Sequence, residues 1–277
     1  MLNTEYTIFY IAIACYAGAS ILYFAYLLTK SKLVGDLATG ITIIGLIANT
    51  ITLVMRTVST GHAPFTNMYE YSTSFAWGII LVYLFAEFKY KLKVLGAFVV
   101  PVGLLIILST DMLNIGKEGG DLMPALQSNW LTAHVAVAVI AYGAYAFSFG
   151  LAIMYFIKDN LVKSKSRSFF NENLPSVELL DELSYRFIVF AFPFMSLVII
   201  TGAIWAEFAW GRYWSWDPKE TWSLITWLVY AAYLHARFTY GWKGKKAAWL
   251  SIFGFLTVLF TYYGVNMLLS GLHAYTS

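Results

Sequence analysis

The sequence predicts an all-α, polytopic integral membrane protein with eight transmembrane helices. Three observations predict it. Hydrophobic residues make up 60% of the 277 positions and charged residues only 12%, against about 45–50% and about 25% in a typical soluble chain. The mean hydropathy is +0.67. Apolar runs long enough to cross a bilayer recur along the chain. This excludes disorder, a coiled coil and nearly every water-soluble enzyme fold. The net charge of +3 is too small to imply a nucleic-acid partner, and the single cysteine, Cys15, excludes an internal disulfide or a CxxC redox pair.

The first span is expected at 8–28. It has Glu5 ahead of it and Lys30 and Lys32 behind. It lacks the basic leader of a signal peptide, and Ala12-Ile13-Ala14-Cys15 lacks one as a lipoprotein box, so it is expected to be retained. The second span, 37–55, leads into an outer segment that begins with Arg56. The third and fourth, 72–86 and 94–108, are short, begin inside their flanking loops and are joined by Lys89, Lys91 and Lys93. The fifth, 130–157, precedes the longest inner segment, where Pro175-Ser176 announces a short amphipathic helix at 177–186. The sixth span is 187–207, the seventh 221–237 and the eighth 247–268. The chain reads as one membrane domain, 1–277, without repeats, carrying an external tryptophan-rich segment at 205–227.

Lysine and arginine fix the expected orientation. Fourteen of the 18 fall in segments after odd-numbered spans; only Arg56, Lys117, Arg212 and Lys219 lie on the other side. By the positive-inside rule, the segments after odd spans face the cytoplasm and both termini face out.

Six of the ten tryptophans, Trp205, Trp210, Trp214, Trp216, Trp222 and Trp227, fall within 23 residues. An interfacial aromatic belt explains two or three of them. It does not explain Asp217, Lys219 and Glu220 embedded in the run, nor Gly211 and Pro218, which bend the backbone and set ring directions. Clustered flat rings make a platform for a large planar apolar ligand with a polar edge.

The run Trp210-Gly-Arg-Tyr-Trp214-Ser-Trp216-Asp217-Pro218-Lys219-Glu220-Thr221-Trp222 resembles the WWD signature of haem-handling membrane proteins of cytochrome c maturation. Its continuation after Asp217, with eight spans, is similar to the CcsA/ResC family of biogenesis system II. Gly61-His62-Ala63-Pro64, Asn67-Met68-Tyr69-Glu70 and Leu126-Gln127-Ser128-Asn129-Trp130 before His134 also match. The resemblance covers roughly residues 50–277. It implies the haem-presenting subunit of a holocytochrome c synthase (haem lyase), with haem b as cofactor. The implied partners are a CcsB/ResB-like membrane subunit, apocytochrome c bearing CxxCH and, indirectly, thiol-reducing proteins. The implied location is the cytoplasmic membrane of a bacterium with the haem site facing the periplasm or cell exterior, or the thylakoid membrane in a plastid.

There are four histidines. His134, just inside span five, and His273, just beyond span eight, share the membrane level of the tryptophan segment. Two imidazoles there would fill both axial positions of a haem iron, the role the resemblance also implies. His235 lies about 22 Å along span seven from Glu220, where a solvated cap beside Arg237 competes with a buried ligand. The resemblance implies a membrane-embedded haem ligand there, opposed by a histidine of the partner subunit. His62 reads equally well as a loop anchor. Trp210, Trp214, Trp216 and Trp222 form the expected platform, and Arg212, Lys219 and Arg56 are candidate partners for haem carboxylates. Asp217 orients a ligand or caps span seven. Tyr142 and Tyr145 read as helix packing. The competing functions are a haem exporter or carrier without ligation activity, a di-haem electron-transfer subunit and a secondary transporter. The span count and the Asp217–Glu220 continuation weigh against the first, the lone His235 against the second, and the lack of broken half-helices against the third.

Overall fold

Apolar stripes at helical spacing organise the whole structure, a computed structural model describing residues 2–117, 126–165, 169–269 and 271. In α1 (Leu2–Thr29) the fully buried Phe9, Ala12, Tyr16, Ala19, Tyr23 and Leu27 recur every three or four residues, one face of a helix. They pack on α2 (Lys32–Thr60), whose inner face is small or short: Gly35, Ala38, Thr42, Gly45, Ala48 and Thr52. Small faces let membrane helices approach closely. There follow α3 (Met68–Tyr90), α4 (Gly96–Met112), α5 (Asn129–Lys163), a short α6 (Phe169–Asn173), α7 (Val177–Trp210), α8 (Pro218–Tyr240), α9 (Lys245–Leu259) and α10 (Val265–Leu268). A π-helical turn, Phe260–Gly264, joins the last two. No strand occurs among the described residues.

Among the described residues, seven helical segments are long and apolar enough to span a membrane; α8 is not one of them. It nonetheless runs between the same two ends. Its first turn lies against Gly271, where an added Cβ would sit 2.5 Å from Asp217 Oδ2. At the other end Arg237 binds Asp181 of α7 at 2.7 Å. Its 23 residues measure about 34 Å, the thickness of a bilayer core. Its low hydropathy has a structural cause: Thr226, Tyr230, Tyr233 and Arg237 face the protein interior, while Leu228 and Phe238 face outward.

The two ends are distinct. Tyr6 donates to the Lys117 carbonyl at 3.1 Å, so the start of α1 and the segment after α4 share one end. At the other, Lys30 donates to the Asn173 carbonyl at 2.9 Å and Lys245 meets Asp159 at 3.2 Å. Near this basic end Glu87 accepts from Tyr23, Tyr83 and Thr39, tying the first three helices together.

The segment 177–186 is the first part of the helix that forms the sixth span. Ser176 caps it, accepting from Leu179 N, and the helix continues unbroken to Trp210. The reason is a continuous buried stripe, Leu180, Leu183, Phe187, Ile188 and Ala191, which carries helical spacing across the expected boundary.

Candidate functional site

The site is built where α5 crosses α7 below the tryptophan segment. Ser128 caps α5, accepting from Trp130 N at 3.2 Å. His134, five residues into the helix, turns its ring to α7, and Nδ1 lies 2.9 Å from the Val198 carbonyl. A carbonyl only accepts, so Nδ1–H is the donor. In a neutral imidazole that makes Nε2 the lone-pair nitrogen. The ring reaches α7 because Gly202 has no side chain: an added Cβ would lie 2.8 Å from Cε1 and 3.0 Å from Nδ1. One turn on, Trp205 lies nearly parallel to the imidazole, 18° between planes and 6.2 Å between centroids. Trp210 packs edge-on against Trp205 at 4.8 Å.

The helix stops at Gly211, whose φ of +70° suits glycine and whose N–H closes on Glu207 O. From there one carboxylate holds the loop. Glu220 accepts from Ser215 N at 2.8 Å, from Ser215 Oγ and from Asp217 N. Asp217 Oδ1 accepts from Lys219 N at 2.9 Å, completing a capping box with Pro218 at the first helical position. Asp217 therefore caps the helix, one of its two expected roles.

Beneath this loop lies a cavity of about 990 Å³, counting the space open at its mouth. His134, Trp205 and Trp214 form part of its wall, with Tyr71 and Phe75 from α3 and Tyr142 from α5. Its charged lining residues are Lys219 and Glu220. Lys219 lies ahead of the expected seventh span and donates to Asn266 Oδ1 at 3.0 Å. Burial pushes its ammonium down to about 8, with Asp217 opposing the shift. The π-helical turn places Thr261 and Tyr262 in the wall, a frequent use of such turns.

The expected site residues thus divide. His134 and Trp214 line the cavity, and Trp210 adjoins it through Trp205. Trp222 packs on Phe260, 4.1 Å between centroids. Trp216 is 69% exposed at a φ of +57°, and Arg212 is exposed as well. His235 is exposed near the opposite end of α8, its Nδ1 3.4 Å from Thr239 Oγ1. His62 lies in the loop after α2 with Nδ1 on the Ala63 carbonyl. His273 lies outside the described residues. Arg56 is in a separate buried cluster: 2% exposed, it binds Glu70 at 2.8 Å and faces Glu5 at 3.8 Å. Glu70 also accepts from Thr66 N, Thr66 Oγ1 and Asn67 Nδ2. The Asn67–Glu70 motif therefore anchors α3, and Asn266 reaches Met68 Sδ at 3.0 Å, linking that anchor to Lys219.

Sequence reasoning assigned Tyr142 to packing and missed Gly202, Tyr71 and Phe75. Tyr142 had a signal, lying eight residues from His134 on the same helical face. Gly202 had none, because its role depends on a ring 68 positions away in sequence.

The known proteins most informative here point one way. The family described as "Cytochrome C assembly protein" matches residues 65–273. The cytochrome c biogenesis protein CcsA of Guillardia theta is 42% identical over 264 residues, covering 89% of this chain and 87% of its own. That of Gloeobacter violaceus is 36% identical over 297 residues, covering 89% and 88%. Among solved structures, the cytochrome c haem lyase CcmF aligns with a TM-score of 0.68 at 16% identity, over 93% of this chain and 46% of its own. At that identity the likeness concerns the fold.

Proposed function

This chain belongs to the cytochrome c assembly protein family, among the CcsA proteins, and from that premise we propose that its cavity is a haem site for cytochrome c maturation. It is a multi-pass membrane protein of cytochrome c biogenesis. The finer reading is that the cavity would hold haem b, with His134 and His273 as the residues that would bind its iron. The chain acts beside a CcsB/ResB-like subunit as the haem-presenting part of a holocytochrome c synthase. With eight spans and the basic segments inside, both termini and the cavity face outward.

The residues present fit such a group. The cavity is broad and walled by flat rings, and His134 offers an imidazole whose tautomer is set. The single observation carrying the proposal is the His134 Nδ1–H bond to Val198 O. Histidines that ligate metals characteristically donate their other nitrogen to a carbonyl or carboxylate, which fixes the ring and raises its basicity. Lys219 supplies the cation for a ligand carboxylate, since a buried ammonium gains most from an anion docked beside it. Trp205 and Trp214 exclude water and hold a planar group in one orientation. When bound, haem supplies the vinyl groups to which the CxxCH thiols of apocytochrome c add. The chain needs no nucleophile of its own, and its work is positioning.

The test is to purify the chain with its partner and record the absorption spectrum. Wild type is expected to show a low-spin b-type spectrum. His134→Ala and His273→Ala are each expected to lose it, and added imidazole to restore it. Full occupancy in either variant overturns that ligand.

A further inference from the structure

Below the cavity the core between α5, α7, α8 and α9 is polar where a membrane protein has most reason to be apolar. From α8, Thr226, Tyr230, Tyr233 and Arg237 face inward at spacings of three or four. From α5, Tyr142, Tyr145 and Ser148 follow at intervals of three; Tyr142 lines the cavity and Tyr145 stacks on Tyr230. Ser148 Oγ lies 2.8 Å from Ser184 of α7 and 2.8 Å from Ser251 of α9. Thr226 reaches Thr261 of the π-helical turn at 3.2 Å. Tyr230 lies flat against α9, where a Cβ on Gly254 would be 2.7 Å from its Cζ.

This column has two ends. Tyr142 and Thr261 belong to the wall of the large cavity. At the basic end Tyr233 and Ser184 line a second, much smaller void, together with Tyr155 and Asp181. Asp181 there binds Arg237 and accepts from Gly244 N. Between the ends the hydroxyls of Tyr145, Tyr230 and Tyr233 are buried without a hydrogen-bond partner among the described residues. Three orphaned hydroxyls in one seam are not an accident of packing, because phenylalanine would fill the same space without the desolvation penalty. Buried water satisfies such groups, each molecule occupying about 30 Å³.

We propose that this seam is a water-bearing proton path between the cavity and Asp181 at the basic end. Hydroxyls both donate and accept, so a proton taken up from water beside Asp181 is handed along Ser184, Ser148 and the tyrosine hydroxyls, through intervening waters, to water at Tyr142. Each donor regains a proton from the previous member. The groups facing the lower end are Asp181, Glu182 and Arg237, with Asp159, Lys163 and Lys245 beyond. Those at the upper end are His134, Lys219 and Glu220. The column does not pass an organic ligand. Tyr145 and Tyr230 stack with centroids 3.5 Å apart and 5° between planes, which leaves no gap between them. A planar cofactor must reach the cavity another way, while charge changes there are balanced by protons from the basic side. The proposal holds whatever the cavity binds.

Two measurements on the full chain test it. X-ray radiolytic hydroxyl labelling with mass spectrometry is expected to modify Tyr145, Tyr230 and Tyr233 at least threefold faster than Tyr16. Tyr16 is equally buried but bonded to Asn49. Labelling at the Tyr16 rate overturns the hydration. In vesicles under an imposed potassium-diffusion potential, the wild type is expected to admit protons at least threefold faster than the Tyr230→Phe, Tyr233→Phe double variant. That variant keeps both rings, and its folding is checked by circular dichroism and gel filtration. Equal proton entry from the two folded proteins overturns the path.

Discussion

The imidazole of His134 occupies the space in which a side chain at Gly202 would stand. An added Cβ would come within 2.8 Å of the ring, closer than carbon atoms approach without displacement. Helix α7 thus offers a flat recess and, in Val198 O, the acceptor that orients the ring in it.

Gly202→Ala is therefore expected to push the imidazole off Val198 O. Overpacking of this kind costs about 1–3 kcal/mol. Haem content should fall at least tenfold while the protein still inserts, read by the ratio of Soret to protein absorbance. Unchanged content would mean the ring's placement does not set binding.

Glu220→Ala is expected to loosen the loop between α7 and α8. Three donors, Ser215 N, Ser215 Oγ and Asp217 N, converge on this carboxylate, and its loss also breaks the capping box. Losing such a cap costs about 0.5–2 kcal/mol. Limited proteolysis should cleave within residues 211–217 several-fold faster than in wild type, and Asp217→Ala should behave alike.

Lys219 gives the site a pH dependence with a definite sign. Its ammonium titrates at about 8, and an anion beside it raises that value, so binding takes up a proton. Binding is therefore strongest below pH 8 and weakens as pH rises through it. Between pH 7 and 9 the charged fraction falls from about nine-tenths to about one-tenth, roughly a tenfold loss of affinity. Titrations at the two pH values should show it, and Lys219→Gln should flatten the dependence.

Arg56 separates support of the fold from contact with the ligand. It is buried between Glu70 and Glu5, and removing one member of such a pair costs about 3–5 kcal/mol. Arg56→Ala should lower the amount of protein in the membrane several-fold, and what remains should keep the wild-type haem spectrum per mole. Normal abundance with a shifted spectrum would instead make Arg56 a ligand contact, as its place among the few outer cations first suggests.

The membrane class, the helices and the dense tryptophan segment are legible in the order of residues alone. These follow from hydropathy and from bonds between residues a few positions apart, which composition and spacing record directly. Gly211 ending α7 and Asp217 starting α8 are of this kind. The tertiary structure decided what distant partners control. The burial of Arg56 between Glu70 and Glu5 is one such pairing. His134 acquired a defined tautomer only from a carbonyl 64 residues away. Helix α8 proved polar on its inner side, against the other helices, which a one-dimensional hydropathy profile averages away. Local order is written in short-range spacing; the pairing of buried polar groups is set only when helices pack, because only packing removes the water that would otherwise satisfy each of them alone.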